Sequence, residues 1–177
     1  MALKYLLQPA YFSNFSRLCF TFPLPSPSGL SIDANSRKEI HKANPDGMKG
    51  VYMIRLVLKD RKGTALSIND YLMRGEGTAD FMALEDIPLA KVKAIVLSPS
   101  ADGRRRIEIR NTGSSVALNI KLNVRDRKSG EIMLPAYFSD GYFHLMPGER
   151  RVLEYDSPHE GAISAEGHNL SNQIIVK

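Results

Sequence analysis

Alternating apolar and polar residues predict a β-hairpin between Val51 and Ile68. Along Val51–Lys59 every second side chain is apolar, and the charged Arg55 falls on the opposite face, as in a half-buried strand. The turn-forming sequence DRKG follows, and the chain then returns with the same alternation. The expected apolar face consists of the even-numbered residues Tyr52, Ile54, Leu56 and Leu58.

The same pattern predicts further strands in the second half of the chain. Turn signals recur about every 8–12 residues there, which is the spacing of a β-sandwich. One strand should carry Leu118, Ile120, Leu122 and Val124 on one face and Asn119, Lys121, Asn123 and Arg125 on the other, and we expect Ile120 and Leu122 in the core. The predicted strands are Lys91–Leu97, Arg106–Arg110, Leu118–Val124 and Arg151–Tyr155.

The strand pattern indicates an all-β chain with two sandwich domains. LVLKDRKG at 56–63 is echoed by LNVRDRKSG at 122–130, because in both places an alternating strand enters a basic turn closed by glycine. A strand is expected at Leu30–Ala34, and one helical turn at Phe81–Leu84. We therefore predict an unassigned N-terminal segment at 1–29, a partial sandwich at 30–88 and a complete β-sandwich at 89–177.

Composition excludes several classes of protein. The 177 residues are 43% hydrophobic and 24% charged, as in a globular protein, and no apolar run is long enough to span a bilayer. The net charge of +5 is spread over turns beside acidic residues, so nucleic acid is not an expected partner. The single cysteine, Cys19, excludes an internal disulfide framework. No signal peptide is visible, and localisation stays open.

Motifs for catalysis or metal binding do not emerge from the sequence. The four histidines have no metal-ligand spacing, and no nucleophile elbow, phosphate loop or dinucleotide fingerprint is present. Carboxylates such as Glu149 fall in turns rather than in an evident catalytic pair. Asn14 and Asn169 begin Asn-x-Ser triplets, for which the interpretation without a glycan is favoured. We therefore predict no catalytic residue, no metal site and no cofactor.

The most unusual stretch is LPAYFSDGYFHLMPGE at 134–149. Asp140 and Gly141 are expected to adopt positive φ and to bend the chain sharply. The aromatic residues around this bend either close the sandwich core or form a contact patch on the surface. The candidates for an exposed, sugar-stacking patch are Tyr137, Tyr142 and Phe143.

This stretch carries a family resemblance. LPAYFSDGYFHLMPGERRVLEY at 134–155 resembles the C-terminal immunoglobulin-like domain of glycoside hydrolase family 2 enzymes, in the β-mannosidase and exo-β-glucosaminidase branch. Gly141 stands where that family often has Asn. VYMIRLVLKDRKGTALSINDYL at 51–72 resembles the end of the preceding sandwich domain and keeps Ser67, Asn69 and Tyr71 of its motif. LSIDANSRKEI, which begins at Leu30, resembles the strand before it.

The resemblance implies immunoglobulin-like sandwiches and a non-catalytic role. Family members carry both catalytic carboxylates in a (β/α)₈ barrel, for which 177 residues leave no room. The chain is thus expected to be an accessory region that braces the catalytic barrel of a parent exo-glycosidase and is not an enzyme by itself. A carbohydrate-binding module and a protein-interaction sandwich are the alternatives. The expected partners are the barrel or a second copy of the chain, and an oligosaccharide.

Overall fold

A computed structural model describes most of the second half of the chain and selected parts of the first. The described residues are 6–7, 22–23, 33–37, 39, 49–60, 62–78, 80–171 and 173–176. The chain divides into two compact units, Met1–Asp86 and Ile87–Lys177. Within the described ranges no helix is long and apolar enough to cross a membrane.

The described residues of the first unit form two strand pairs and one helical turn. Strands β1 and β2 are short, β3 and β4 form an antiparallel hairpin, and the helical turn predicted near Phe81 is present as a 3₁₀-helix. Of the strand expected at Leu30–Ala34, only Asp33 and Ala34 belong to the described residues, and they lie at a turn. The elements are β1 (Leu6–Leu7), β2 (Phe22–Pro23), β3 (Val51–Lys59), β4 (Ala65–Arg74) and the 3₁₀-helix Met82–Leu84.

Burial along β3 differs from the sequence expectation. The odd-numbered residues Val51, Met53 and Val57 are buried, whereas most even-numbered apolar residues are only half-buried. Arg55 is buried as well, because Asp70 on β4 lies opposite it and accepts from its guanidinium at 2.7 and 2.8 Å. A charged side chain can be buried when its cross-strand neighbour carries the opposite charge. The expectation that Arg55 marks the solvent face was therefore wrong.

We expect the chain to be monomeric in solution. The expected apolar face of β3 would need a second copy of the chain only if it were uncovered, yet Tyr52 on that face is buried within a single chain. An apolar face without such cover would favour association. Size-exclusion chromatography with light scattering on the whole chain measures the mass, and a stable dimer at low micromolar concentration would contradict this expectation.

The second unit is a sandwich of two four-stranded antiparallel sheets. One sheet has the order β5-β6-β10-β8, and the other has the order β12-β11-β7-β9. Counted from β5, the first, second, fourth and sixth strands thus form one sheet and the third, fifth, seventh and eighth form the other. Two packed antiparallel sheets of this kind are the architecture of immunoglobulin-like domains. The strands are β5 (Val92–Leu97), β6 (Arg105–Asn111), β7 (Ala117–Arg125), β8 (Tyr137–Phe138), β9 (Phe143–Leu145), β10 (Arg150–Asp156), β11 (Ala162–Glu166) and β12 (Gln173–Val176).

The core of this unit lies between the two sheets. The prediction that Ile120 and Leu122 belong to it is confirmed. A bulge in β7 opposite β9 changes the alternation before Ile120, and Leu118 is buried outside the core cluster. The cluster consists of Ala90, Val92, Ile107, Ile109, Ala117, Ile120, Leu122, Phe143, Leu145, Leu153, Ile163 and Ala165.

Buried Asn169 joins the beginning of this unit to its last turn. Its Oδ1 accepts from the Leu118 N–H at 3.0 Å, and its Nδ2 donates to the carbonyls of Pro88 and Val116 at 2.9 and 2.8 Å. A glycan on this nitrogen would need an exposed amide. The glycan-free interpretation of the Asn169 triplet therefore agrees with the fold, whereas Asn14 lies outside the described residues.

Candidate functional site

The turn between β5 and β6 forms one wall of a surface groove. The Ser100 N–H donates to the carbonyl of Arg104 at 2.9 Å, and Gly103 closes the turn with a φ of 84°. The Ser100 hydroxyl donates to the carboxylate of Asp102, which presents this carboxylate at the tip of the turn. Glycine at the fourth position is what such a backbone conformation requires.

Ion pairs connect this turn to the neighbouring strand β10. The Arg104 guanidinium lies 3.0 Å from the Asp102 carboxylate and 2.9 Å from that of Glu154. The hydrogen bond from Ser100 lowers the pKa of Asp102, and the hydrogen bond to Glu154 raises the pKa of Arg104. Asp102 consequently stays ionised at neutral pH, whereas a glycosidase acid needs a carboxyl group with a raised pKa. The geometry is that of a surface charge network rather than of an acid–base pair.

Two stacked rings lie beside these charges at the sheet edge and pack against the core of the sandwich. Phe138 on β8 and Tyr155 on β10 are opposite each other, and their ring centroids are 5.5 Å apart with an interplanar angle of 21°. The Arg105 guanidinium lies 4.9 Å from the Tyr155 ring and donates to the carbonyls of Ser157 and His159. Tyr155 is thereby held between a ring and a cation, which fixes the edge of the sheet.

The opposite face of the same strand pair carries Tyr137 and Asp156. These residues are direct partners in the β8–β10 register, so their side chains lie on one face of the sheet. Tyr137 is 69% exposed, and Glu154 precedes Asp156 on the same face of β10. An exposed ring with carboxylates beside it offers both a stacking surface and hydrogen-bond acceptors.

Together these residues line an open groove of about 540 Å³. The groove combines aromatic and charged side chains at the edge of the β5-β6-β10-β8 sheet, and it is shallow rather than enclosed. It is lined by Asp102, Gly103, Arg104, Arg105, Tyr137, Phe138, Ser139, Glu154, Tyr155 and Asp156.

The three aromatic residues expected to form one patch are separated. Tyr137 lines the groove, whereas Tyr142 is 66% exposed outside it, with the Lys121 ammonium 5.9 Å from its ring. Phe143 is only 5% exposed, belongs to the core and has the Arg151 guanidinium 4.8 Å from its ring. Phe143 therefore does not belong to an exposed stacking patch, because its position on β9 places the ring between the two sheets.

The bend at Asp140-Gly141 also differs in detail from the expectation. Positive φ occurs at Tyr142, with a value of 56°, and Gly141 does not adopt it. The Asp140 carboxylate instead accepts from the Gly141 N–H at 2.8 Å and pairs with Arg151. The short polar side chain thus stabilises the bend, and the left-handed residue is the next but one.

Histidines do not assemble into a metal site within the described ranges, where no group of three or more metal-ligating side chains is found. His144 is buried, and its Nδ1 accepts from the Asn119 N–H at 3.0 Å. His159 places Nε2 3.0 Å from the Leu134 carbonyl oxygen. His168 is exposed, and His41 lies outside the described residues.

Sequence reasoning missed the carboxylates of the groove. The sequence pattern assigns no role to Asp102, Glu154 or Asp156. One signal was available, since Glu154 and Asp156 alternate at the end of β10 and so share a face. Their proximity to Asp102 and Tyr137 depends on strand order, which the alternation alone does not determine.

Fold and comparisons together define the class of the chain. Its second unit is an immunoglobulin-like β-sandwich, and the sequence profile of the family described as "Exo-beta-D-glucosaminidase Ig-fold domain" matches residues 70–170. That match covers more than half of the 177 residues. The chain belongs to this family. The resemblance to the immunoglobulin-like domains of family 2 glycoside hydrolases is thus confirmed.

Two similar proteins have names that describe activity on glucosamine substrates. An Exo-beta-D-glucosaminidase of Arthroderma benhamiae is 28% identical over 149 residues, which cover 73% of this chain and 17% of that protein. The Amycolatopsis orientalis exo-chitosanase CsxA superposes on 99% of this chain with a TM-score of 0.64 and 17% identity. A complex of CsxA with PNP-beta-D-glucosamine gives a TM-score of 0.62 at 17% identity and likewise covers 99% of this chain. The chain spans only 24% of either CsxA structure, and at this identity the likeness shows the fold.

Proposed function

We propose that this chain is the non-catalytic accessory region of an exo-β-D-glucosaminidase and that it braces the catalytic barrel of that enzyme. The match to the immunoglobulin-fold domain of this enzyme family carries the proposal. Since the family profile is described as that of exo-β-D-glucosaminidases, we favour this parent activity over the β-mannosidase type.

The ionisation of the groove carboxylates favours a non-catalytic role. In the groove Arg104 forms ion pairs with both Asp102 and Glu154, and the pKa of Asp102 is lowered. A retaining or inverting glycosidase instead needs one carboxyl group with a raised pKa opposite a second carboxylate. The chain also spans a small share of the relatives that it matches, 17% of the Arthroderma protein and 24% of CsxA. We assign the catalytic carboxylates to the remainder of the parent enzyme.

An independent carbohydrate-binding role is the second candidate. The observation that favours it is the exposed Tyr137 ring beside the Asp156 carboxylate, an arrangement that bracing alone does not require. The two roles predict different kinetic changes. Loss of a brace lowers the Tm of the enzyme and its activity on every substrate. Loss of a binding module raises the KM only for oligosaccharides that are long enough to reach the module.

We expect the isolated chain to show no hydrolysis of p-nitrophenyl β-D-glucosaminide above a mock preparation.

In the Arthroderma enzyme, deletion of the region that matches this chain should lower the Tm by about 5 °C or more, because an interface that stabilises the barrel is lost. Replacement of that region by this chain should restore part of the Tm and the activity.

Scanning fluorimetry and initial rates of the three forms check this prediction. A deletion variant with the Tm and kcat of the intact enzyme contradicts bracing, whatever the replacement variant does. A rise in KM confined to long oligosaccharides, at unchanged Tm, supports the binding module instead. Turnover by the isolated chain that persists after repeated purification contradicts the non-catalytic assignment.

A further inference from the structure

We propose that the groove beside Tyr137 binds a protonated glucosamine unit of a β-linked glucosamine oligosaccharide. The Tyr137 ring is the stacking surface for the sugar, and the Asp156 carboxylate is the partner of its ammonium group. The proposal rests on the proposed function for the identity of the sugar only. The ligand class, a ring with a positive charge, comes from the groove itself.

The stacking surface is available because Tyr137 has no aromatic partner in the groove. The Phe138 ring, its neighbour on β8, faces the other side of the sheet and stacks on Tyr155. Tyr137 is 69% exposed at the sheet edge, so the ring is accessible from solvent. The C–H groups on the face of a pyranose pack on aromatic rings, and the phenol hydroxyl can bond to a sugar hydroxyl.

Carboxylates on this face provide the charge. Arg104 forms ion pairs with Asp102 and Glu154. The Asp156 side chain forms no hydrogen bond or close ion pair within the described ranges, and Arg104 interacts with it only at longer range. The Arg105 guanidinium also lines the groove, where it is directed to the Tyr155 ring and to two backbone carbonyls. The lining of the groove therefore carries three carboxylates and two guanidinium groups, and its charge is weakly negative.

The sign of this face is opposite to that of the whole chain. The chain has a net charge of +5, so long-range electrostatics repel a cationic oligosaccharide. Binding would therefore depend on the local contact with Asp156, Asp102 and Tyr137. This distinguishes a built contact from nonspecific adsorption of a polycation, which a basic protein does not favour.

The groove has the shape that a chain-like ligand needs. Its volume of about 540 Å³ is open to solvent along the edge of the sheet, between the β5–β6 turn and β8. An open groove lets the remaining sugar units extend beyond the contact, whereas an enclosed pocket accepts only a chain end. Because the contact is shallow, we expect weak binding and a Kd of about 1 mM.

The test is a titration of the ¹⁵N-labelled whole chain with the fully deacetylated glucosamine tetramer, at low salt and at a pH below that of amine deprotonation. We expect amide shifts at Asp102, Tyr137 and Asp156. The variants Tyr137→Ala and Asp156→Asn should each weaken binding by about tenfold. Tyr142→Ala is the matched control, since Tyr142 is equally exposed but lies outside the groove.

Neutral sugars separate stacking from charge. The N-acetylated tetramer and cellotetraose present similar pyranose rings without the ammonium group, and we expect both to bind at least about tenfold more weakly. Equal affinity for all three sugars overturns the proposal, as does binding that Tyr142→Ala removes and Tyr137→Ala leaves intact. Absence of groove shifts with any sugar also overturns it. The thermal stability of the parent enzyme tests bracing separately, so failure of one proposal is distinguishable from failure of the other.

The spectra of the variants must also show that each variant is folded. The Tyr137 ring is largely exposed, and Asp156→Asn keeps the size of the side chain, so we expect both spectra to keep the dispersion of the wild type. A variant that keeps its fold and its affinity counts against the proposal. If either variant loses its fold, the intact chain titrated with the three tetramers still decides the outcome.

Discussion

Replacing Leu122 by alanine should destabilise the second unit by roughly 2–5 kcal/mol. Leu122 is buried on β7, opposite Ala165 of β11, and belongs to the core between the two sheets. Truncation removes apolar contacts and leaves a cavity, because its neighbours come from strands that cannot all move inward.

Because the chain has two compact units, two-state unfolding of the whole chain is not assumed, and a measurement local to the second unit is needed. Hydrogen exchange of β7 and β11 amides, read by mass spectrometry, reports the opening free energy of the second unit. The control is Ile95→Ala, because Ile95 is 59% exposed on β5 and its truncation should cost less than about 0.5 kcal/mol. Equal losses for both variants would contradict the assignment of Leu122 to the core.

Alternation identified the sandwich because it reports burial on one face of a strand. It located β3, β5, β6, β7 and β10 to within one or two residues, and the core positions Ile120 and Leu122 with them. It missed β11 and β12, where AISAE and QIIV are too short and too uniform to alternate. Strands of this kind acquire their pairing from the neighbouring strand rather than from their own sequence.

Errors arose where a second element changes the meaning of a residue. The charge of Arg55 suggested a solvent-exposed face, but Arg55 is buried because it pairs with Asp70, fifteen residues away. Phe143 and Tyr137 look equivalent in the sequence, yet the first lies in the core and the second in the groove. The groove itself brings Asp102 to Glu154, which are 52 positions apart by their numbers. Such contacts follow from strand order, which local pattern does not specify.

Asn111, the last residue of β6, is a buried polar residue whose structural role is not evident from the sequence pattern. Its side chain is fully buried, and its Nδ2 donates to the carbonyls of Ser115 and Leu145 at 2.7 and 2.9 Å. Its Oδ1 accepts from the Gly113 N–H at 3.0 Å. The backbone of Asn111 also exchanges hydrogen bonds with Gly148 and Glu149. The Pro-Gly-Glu turn of the aromatic stretch is therefore held in place from β6, which gives that half of the stretch a structural role.

We expect Asn111→Leu to destabilise the second unit by about 3 kcal/mol, because three backbone groups lose their partners and an unpaired buried group costs about 1–3 kcal/mol. Asn123→Leu is the matched control. Asn123 is also a buried asparagine on this unit, but its Nδ2 makes no hydrogen bond within the described ranges, so leucine there should be nearly neutral or stabilising. The same exchange measurement on β6 and β7 compares the two. Similar losses in both variants would show that the leucine side chain, rather than the lost hydrogen bonds of Asn111, causes the destabilisation.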